Sequence, residues 1–73
     1  MNVKYRLKDN KEGAQRIRPA VLTAFYQGEK KELVGTANLT VFLDPAADGD
    51  YGMTPLRQFP YVAKGDGVGE WRD

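Results

Sequence analysis

Three aspartates, Asp44, Asp48 and Asp50, lie within seven consecutive positions and have the clearest potential for chemistry. Two neighbouring carboxylates can act as general acid and base where a closed cleft separates their pKa values. Carboxylates in one loop can also bind calcium, but the spacing D-x-x-x-D-G-D lacks the alternating ligands and the distal glutamate of an EF-hand. Because Asp and Gly are common turn formers, we interpret the segment as a solvated acidic turn and predict no metal site.

The composition argues against catalysis. The chain of 73 residues contains no serine, cysteine or histidine, so it cannot build the usual nucleophile and base pairs. A domain this small rarely encloses the dry cleft that paired carboxylates require. We therefore predict that the protein is not an enzyme and needs no cofactor. Without disulfides or zinc sites, assembly into a homo-oligomer is the remaining common way to stabilise so small a domain.

A binding site is expected in the irregular segments. The segment 44–58 contains two prolines, two glycines and the three aspartates, and long loops on a rigid scaffold often carry function. Trp71, beside Arg72, is either an exposed interface anchor or a ring that folds back to close the end of the sheet. The predicted binding residues are Asp48, Asp50, Tyr51, Arg57 and Trp71.

Charge is uneven along the chain, although the net charge is only +1. Residues 1–31 carry eight basic and three acidic side chains, whereas residues 32–73 carry three basic and seven acidic ones. Basic residues near Tyr5 and Tyr26 suggest nucleic-acid binding, but alternation places Tyr5 on the apolar face and the pI is only about 8.0. The "GDGVG" motif at 65–69 lacks the following helix of a phosphate-binding loop, and we interpret it as a turn.

Alternating apolar residues predict strands. Val3, Tyr5 and Leu7 indicate a half-buried first strand, followed by a turn at 9–13. The apolar run 20–26 predicts an inner strand, and Pro19 is expected at its entrance.

A second alternation predicts the partner strand of a β-hairpin. The odd-numbered positions from Leu33 to Leu43, other than Gly35, are apolar and are expected to face the core. The loop "QGEKKE" joins the two strands, and Gly35 is a candidate for a bulge or a close backbone approach. Pro60 places a short strand, 59–64, at a sheet edge.

These elements predict a single all-β domain over residues 1–73. We expect a small antiparallel sheet of four or five short strands, as an open barrel or a compact sandwich, with an α+β arrangement as the minor alternative. The amino-terminal residues lack the apolar core of a secretory signal, and no segment is long enough to span a membrane. We therefore expect a soluble protein of the cytoplasm.

Three motifs resemble those of a family of small, uncharacterised proteins encoded by bacteriophages. They are "RPAVL" at 18–22, "ANLTVFLD" at 37–44 and "GEWRD" at 69–73. Members of this family continue past the tryptophan with His, a second Trp and Pro, whereas Trp71 here is followed by Arg72 and Asp73. The resemblance implies a phage accessory protein acting in the bacterial host cytoplasm, or a minor virion component.

Taken together, the residues and the resemblance predict a non-catalytic protein that binds and inhibits or sequesters a host factor. One alternative is an oligomer that holds a small nucleotide-like ligand between subunits. The other is a nucleic-acid-binding module, which the charge pattern favours less. A host-protein inhibitor is expected to expose an apolar patch near Trp71 or a free strand edge.

Overall fold

The fold is a single antiparallel sheet of five strands. The computed structural model describes residues 1–10, 13, 15–27 and 34–73. The strands are β1 (Asn2–Leu7), β2 (Arg16–Phe25), β3 (Thr36–Phe42), β4 (Leu56–Ala63) and β5 (Trp71–Arg72), in the spatial order β4-β3-β2-β1-β5. The described helical structure is one 3-10 turn, Gly49–Tyr51. The prediction of a small all-β antiparallel domain is confirmed.

The sheet curls strongly so that strands distant in the sheet order meet. The rings of Tyr5 in β1 and Phe59 in β4 have centroids 4.8 Å apart, although β2 and β3 lie between their strands. Lys64, the residue after β4, forms an isolated parallel bridge with Trp71 of β5. The sheet nevertheless does not close into a barrel. Of the predicted open barrel and compact sandwich, the structure therefore has the open form, a single curled sheet.

The inside of the curl is the hydrophobic core. The odd-numbered residues Ala37, Leu39, Val41 and Leu43 are all buried, as the alternation predicted, while Leu33 lies outside the described residues. Burying a side chain such as Leu39 stabilises the fold by about 1.5–3 kcal/mol. The remaining buried hydrophobic residues come from the other four strands: Val3, Tyr5, Leu7, Ala20, Val62 and Trp71.

Pro19 lies inside β2 and not at its entrance, because the strand begins three residues earlier at Arg16. Leu22 donates its backbone N–H to the oxygen of Met1, on the β1 side, so alternation turns the nitrogen of Pro19 toward β3. The β2–β3 pairing reaches only Ala20. The missing N–H of the proline therefore falls beyond the end of that ladder.

The start of β4 also differs from the prediction. β4 begins at Leu56, so the preceding loop is shorter than expected, and Pro60 does lie in a strand at the sheet edge. Gly35 has a φ of +85°, a left-handed conformation that glycine adopts easily. A Cβ at this position would meet nothing within 4 Å, so no neighbouring backbone approaches the residue closely. Gly35 therefore serves the turn before β3 through its backbone conformation. The predicted loop residues 28–32 and the turn residues 11 and 12 lie outside the described part of the chain.

Within the described residues, no helix is long and apolar enough to cross a membrane.

Candidate functional site

The first predicted binding residue, Asp48, is buried and ion-paired. Its side chain is completely inaccessible, and Arg18 donates to both of its oxygens at 2.7 and 2.8 Å. Arg16 adds a third hydrogen bond at 3.2 Å. The interpretation of this segment as a solvated turn is therefore wrong for Asp48, because the loop carries that side chain into the protein.

Asp50 is held by the same strand. Arg16 donates to its two oxygens, each at 2.9 Å, in the bidentate geometry that suits a guanidinium and a carboxylate. The hydrogen bond from Arg16 lowers the pKa of Asp50 to about 2. The hydrogen bond from Arg18 likewise holds the pKa of Asp48 below its usual value. Both carboxylates are thus ionised at neutral pH and already engaged within the chain.

The local sequence explains this arrangement. Arg16 and Arg18 are two residues apart on β2, so both point to the inner face of the curl. Asp48 also accepts a hydrogen bond from the backbone N–H of Asp44 at 2.9 Å, and Asp44 accepts one from Ala46 at 3.1 Å. The three aspartates therefore shape the loop and fasten it to β2.

Tyr51 and Arg57 lie next to this ion cluster. The guanidinium carbons of Arg16 and Arg57 each lie 5.6 Å from the centroid of the Tyr51 ring, a cation–π distance. Arg57 also lies 5.2 Å from the Phe59 ring. Four of the five predicted binding residues thus come together: Arg16 contacts Asp48, Asp50 and Tyr51, and Tyr51 contacts Arg57.

Trp71 does not join that cluster. Trp71 is 3% exposed, its Nε1 donates to the backbone oxygen of Val62 at 3.1 Å, and its ring is nearly perpendicular to that of Phe25. Lys64 covers the ring, with its Nζ 5.1 Å from the centroid. Of the two roles left open by the sequence, the structure has Trp71 folding back to close the end of the sheet.

A second region is centred on Asn38 in β3 and includes none of the predicted binding residues. The residue between Leu22 and Ala24 in β2 has no partner in β3, because those two residues pair with Leu39 and Asn38. On the other side, Leu39 pairs with Phe59 and Ala37 pairs with Val62, so two residues of β4 face Asn38 alone. The two neighbours of β3 therefore both bulge at the same position, which bends the sheet locally.

Asn38 hydrogen-bonds to polar groups beside the two bulges. Its Oδ1 accepts the backbone N–H of Tyr61 at 3.0 Å, and its Nδ2 donates to the hydroxyl of Tyr26 at 2.9 Å. Its backbone oxygen accepts a hydrogen bond from the hydroxyl of Thr23 at 3.1 Å. Asn38 thus links β3 to Thr23 in β2, to Tyr26 just after β2, and to Tyr61 in β4.

The bulge in β4 displays Tyr61. This residue has a φ of +53°, a left-handed conformation that side chains other than glycine rarely adopt, and it is 53% exposed. Its ring lies 5.2 Å from that of Tyr26. A cavity of about 370 Å³ opens at the same place, between Thr23, Gln58 and Pro60.

We call this region the Asn38 surface. All its residues are uncharged, and they comprise Thr23, Tyr26, Asn38, Gln58, Pro60 and Tyr61. The sequence carried two weak signals for it: an asparagine inside an otherwise regular strand, and a Pro-Tyr pair inside an edge strand. Neither signal shows that both bulges fall beside the same residue.

In the described part of the chain, no group of three or more acidic side chains is arranged to hold a metal ion. No protein-family model, no curated protein and no solved structure matches this chain. The likeness to small phage proteins therefore stays a prediction.

Proposed function

We propose that this chain is a non-catalytic binding protein whose partner is another protein, and that the Asn38 surface is where the partner binds. The observation that carries the proposal is the composition of that surface. In a chain with 29% charged residues, the Asn38 surface has none and presents two tyrosines. Depletion of charge and enrichment of tyrosine distinguish the centres of protein interfaces from ordinary surface.

The backbone conformation of Tyr61 supports the proposal. A left-handed conformation costs a residue with a Cβ about 1–2 kcal/mol, and glycine or asparagine at this position would lower that cost. Strained residues of this kind cluster at binding sites and persist where the surrounding structure holds them, as Asn38 holds the backbone N–H of Tyr61 here. An exposed tyrosine contributes little to the core, so we infer that its role is recognition.

The edge of the sheet is a poor alternative. The hydroxyl of Thr54 donates to the backbone oxygen of Leu56 at 2.8 Å and accepts its N–H at 3.4 Å, and Pro60 has no N–H to offer. These features interrupt the row of free backbone groups that strand addition requires. We therefore favour side-chain docking on the Asn38 surface over the free strand edge that the sequence suggested.

The biological setting rests on the resemblance to phage proteins. A phage accessory protein acting in the host cytoplasm would have a bacterial host protein as its partner, and binding would inhibit or sequester that protein. A tyrosine-rich, polar surface suits such a role, because tyrosine gives a large rigid contact area and amide groups adapt to different partners.

Paired affinity capture tests the proposal. The parent chain, Tyr61→Asp and Val68→Asp are immobilised and exposed to bacterial lysate. Val68 is the matched control because it is 50% exposed and lies outside the Asn38 surface. Aspartate tolerates the left-handed backbone, so the variant at Tyr61 should fold.

The proposal predicts one protein that the parent and the Val68 variant retain in stoichiometric amounts and the Tyr61 variant loses. Equal retention by all three chains would contradict it. Enrichment of nucleic acid instead of protein would favour the nucleic-acid alternative.

A further inference from the structure

A second surface carries an independent inference. It lies on the outer face of β1 and β5, where Lys4 and Arg72 are direct cross-strand partners. Side chains in this relation have Cβ atoms about 4.5–5.5 Å apart, and like charges placed so destabilise a sheet. Arg6 projects from the same face of β1, two residues further along. The fold therefore places three cations on one face, and two of them lie directly opposite each other.

A cavity lies among these cations. Its volume is about 170 Å³, and Lys4, Arg6 and Arg72 line it together with Gln15, Ile17 and the turn at 65–70. Sites for drug-sized ligands are larger, roughly 300–1,000 Å³. The cavity therefore suits a single small ion or head group.

Two acidic side chains, Asp66 and Glu70, also line the cavity, so its lining carries three cations and two carboxylates. The carboxylate of Glu70 turns back to accept the backbone N–H of Gly67 at 2.8 Å. A Cβ at Gly65 or Gly67 would lie 2.5 or 2.6 Å from Oε1 of Glu70, so both glycines make room for this carboxylate. Asp66 is 87% exposed and lies 3.8 Å from Arg72, which makes it a weak partner.

Arg6 is only partly satisfied. Its Nη2 pairs with Asp9 at 3.1 Å and its Nη1 donates to the backbone oxygen of Asp66. Its Nε is buried and has no hydrogen-bond partner in the described part of the chain. An unsatisfied buried donor costs stability.

We propose that this cavity binds a phosphate group, either as inorganic phosphate or as the phosphate of a small monoester. Two guanidinium groups and an ammonium group can supply several charge-assisted hydrogen bonds to one tetrahedral dianion. The dianion relieves the repulsion between Lys4 and Arg72. The site is separate from the Asn38 surface and does not depend on the function proposed for it.

Thermal unfolding in phosphate and in chloride of equal ionic strength tests this inference. The chains compared are the parent, Lys4→Gln, Arg72→Gln and the control Lys64→Gln, which is exposed and does not line the cavity. Millimolar phosphate should raise the melting temperature of the parent and the control by several degrees more than that of the other two variants. General salt effects act on all four chains alike and cancel in this comparison.

A second readout separates binding from structure. In chloride, Lys4→Gln should melt no lower than the parent, because the substitution removes a repulsion. Titration calorimetry should show at least a tenfold weaker affinity for inorganic phosphate in Lys4→Gln. An identical phosphate response in all four chains would overturn the proposal. The proposal would also be overturned if the parent protein bound an oligonucleotide but neither inorganic phosphate nor a nucleoside monophosphate.

Discussion

Arg18 in β2 and Asp48 in the loop after β3 form a bidentate ion pair, at 2.7 and 2.8 Å, across 30 positions of the chain. The pair is the centre of a cluster that also includes Arg16 and Asp50. Because the side chain of Asp48 is inaccessible to solvent, its pairing with Arg18 fastens the loop to β2.

Asp48→Ala should destabilise the protein strongly. The substitution removes the carboxylate partner of Arg18, while Arg16 keeps Asp50. Breaking a buried ion pair by removing one partner costs about 3–5 kcal/mol, and the partial exposure of Arg18 places the loss near the lower value. Urea denaturation would measure the loss of unfolding free energy. The control is Asp73→Ala, whose partner Lys64 is exposed, and it should change stability by less than about 1 kcal/mol. Similar effects of the two substitutions would contradict the structural role of the cluster.

The free energy of unfolding should decrease as the pH is lowered below about 5. Arg16 and Arg18 lower the pKa values of Asp50 and Asp48, to about 2 for Asp50, so the unfolded chain binds more protons than the folded one near pH 4. The stabilisation is fully present above about pH 5 and is lost as the pH falls toward 2. The urea midpoint of the parent should decline as the pH is lowered across this range. The midpoint of Asp50→Asn should decline less. A midpoint independent of pH would be inconsistent with these ion pairs.

Gly65→Ala should act through Glu70. The new methyl group would displace the Glu70 carboxylate and break its hydrogen bond with Gly67, at a cost of about 1 kcal/mol. In a Glu70→Ala background the same substitution should cost almost nothing. A double-mutant cycle measured by urea denaturation gives the coupling directly. An equal cost in both backgrounds would mean that the glycine is needed for another reason.

Tyr61→Asn should separate stability from binding. Asparagine adopts left-handed backbone at lower cost, which offsets the loss of the ring contact with Tyr26. We expect the unfolding free energy to stay within about 1 kcal/mol of the parent while partner capture is lost. Tyr61→Phe keeps the ring and should retain capture. A loss of stability above about 2 kcal/mol in Tyr61→Asn would indicate that the tyrosine serves the fold.

The sheet was predictable because its signals are local. The alternation at Ala37, Leu39, Val41 and Leu43 has period two, and only one face of a strand can carry those residues to the core. The inner position of β2 followed from apolar residues on both of its faces.

The sites were less predictable because they depend on contacts between distant residues. An aspartate in a loop can face solvent or pair with an arginine 30 or more positions away, and the local sequence is the same in both cases. The spacing of Asp48 and Asp50 therefore could not predict their ion pairs with Arg18 and Arg16. Trp71 was left undecided for the same reason. The Asn38 surface requires two bulges in register, and register depends on the pairing of whole strands.

Amide hydrogen exchange on the purified complex with the captured partner tests the central claim most directly. Docking on the Asn38 surface should slow exchange in the segments around Thr23, Asn38 and Tyr61, relative to the free chain, and leave the 65–70 turn unchanged. Protection confined to β1, β5 or the loop of Asp48, with none around Asn38, would contradict the account.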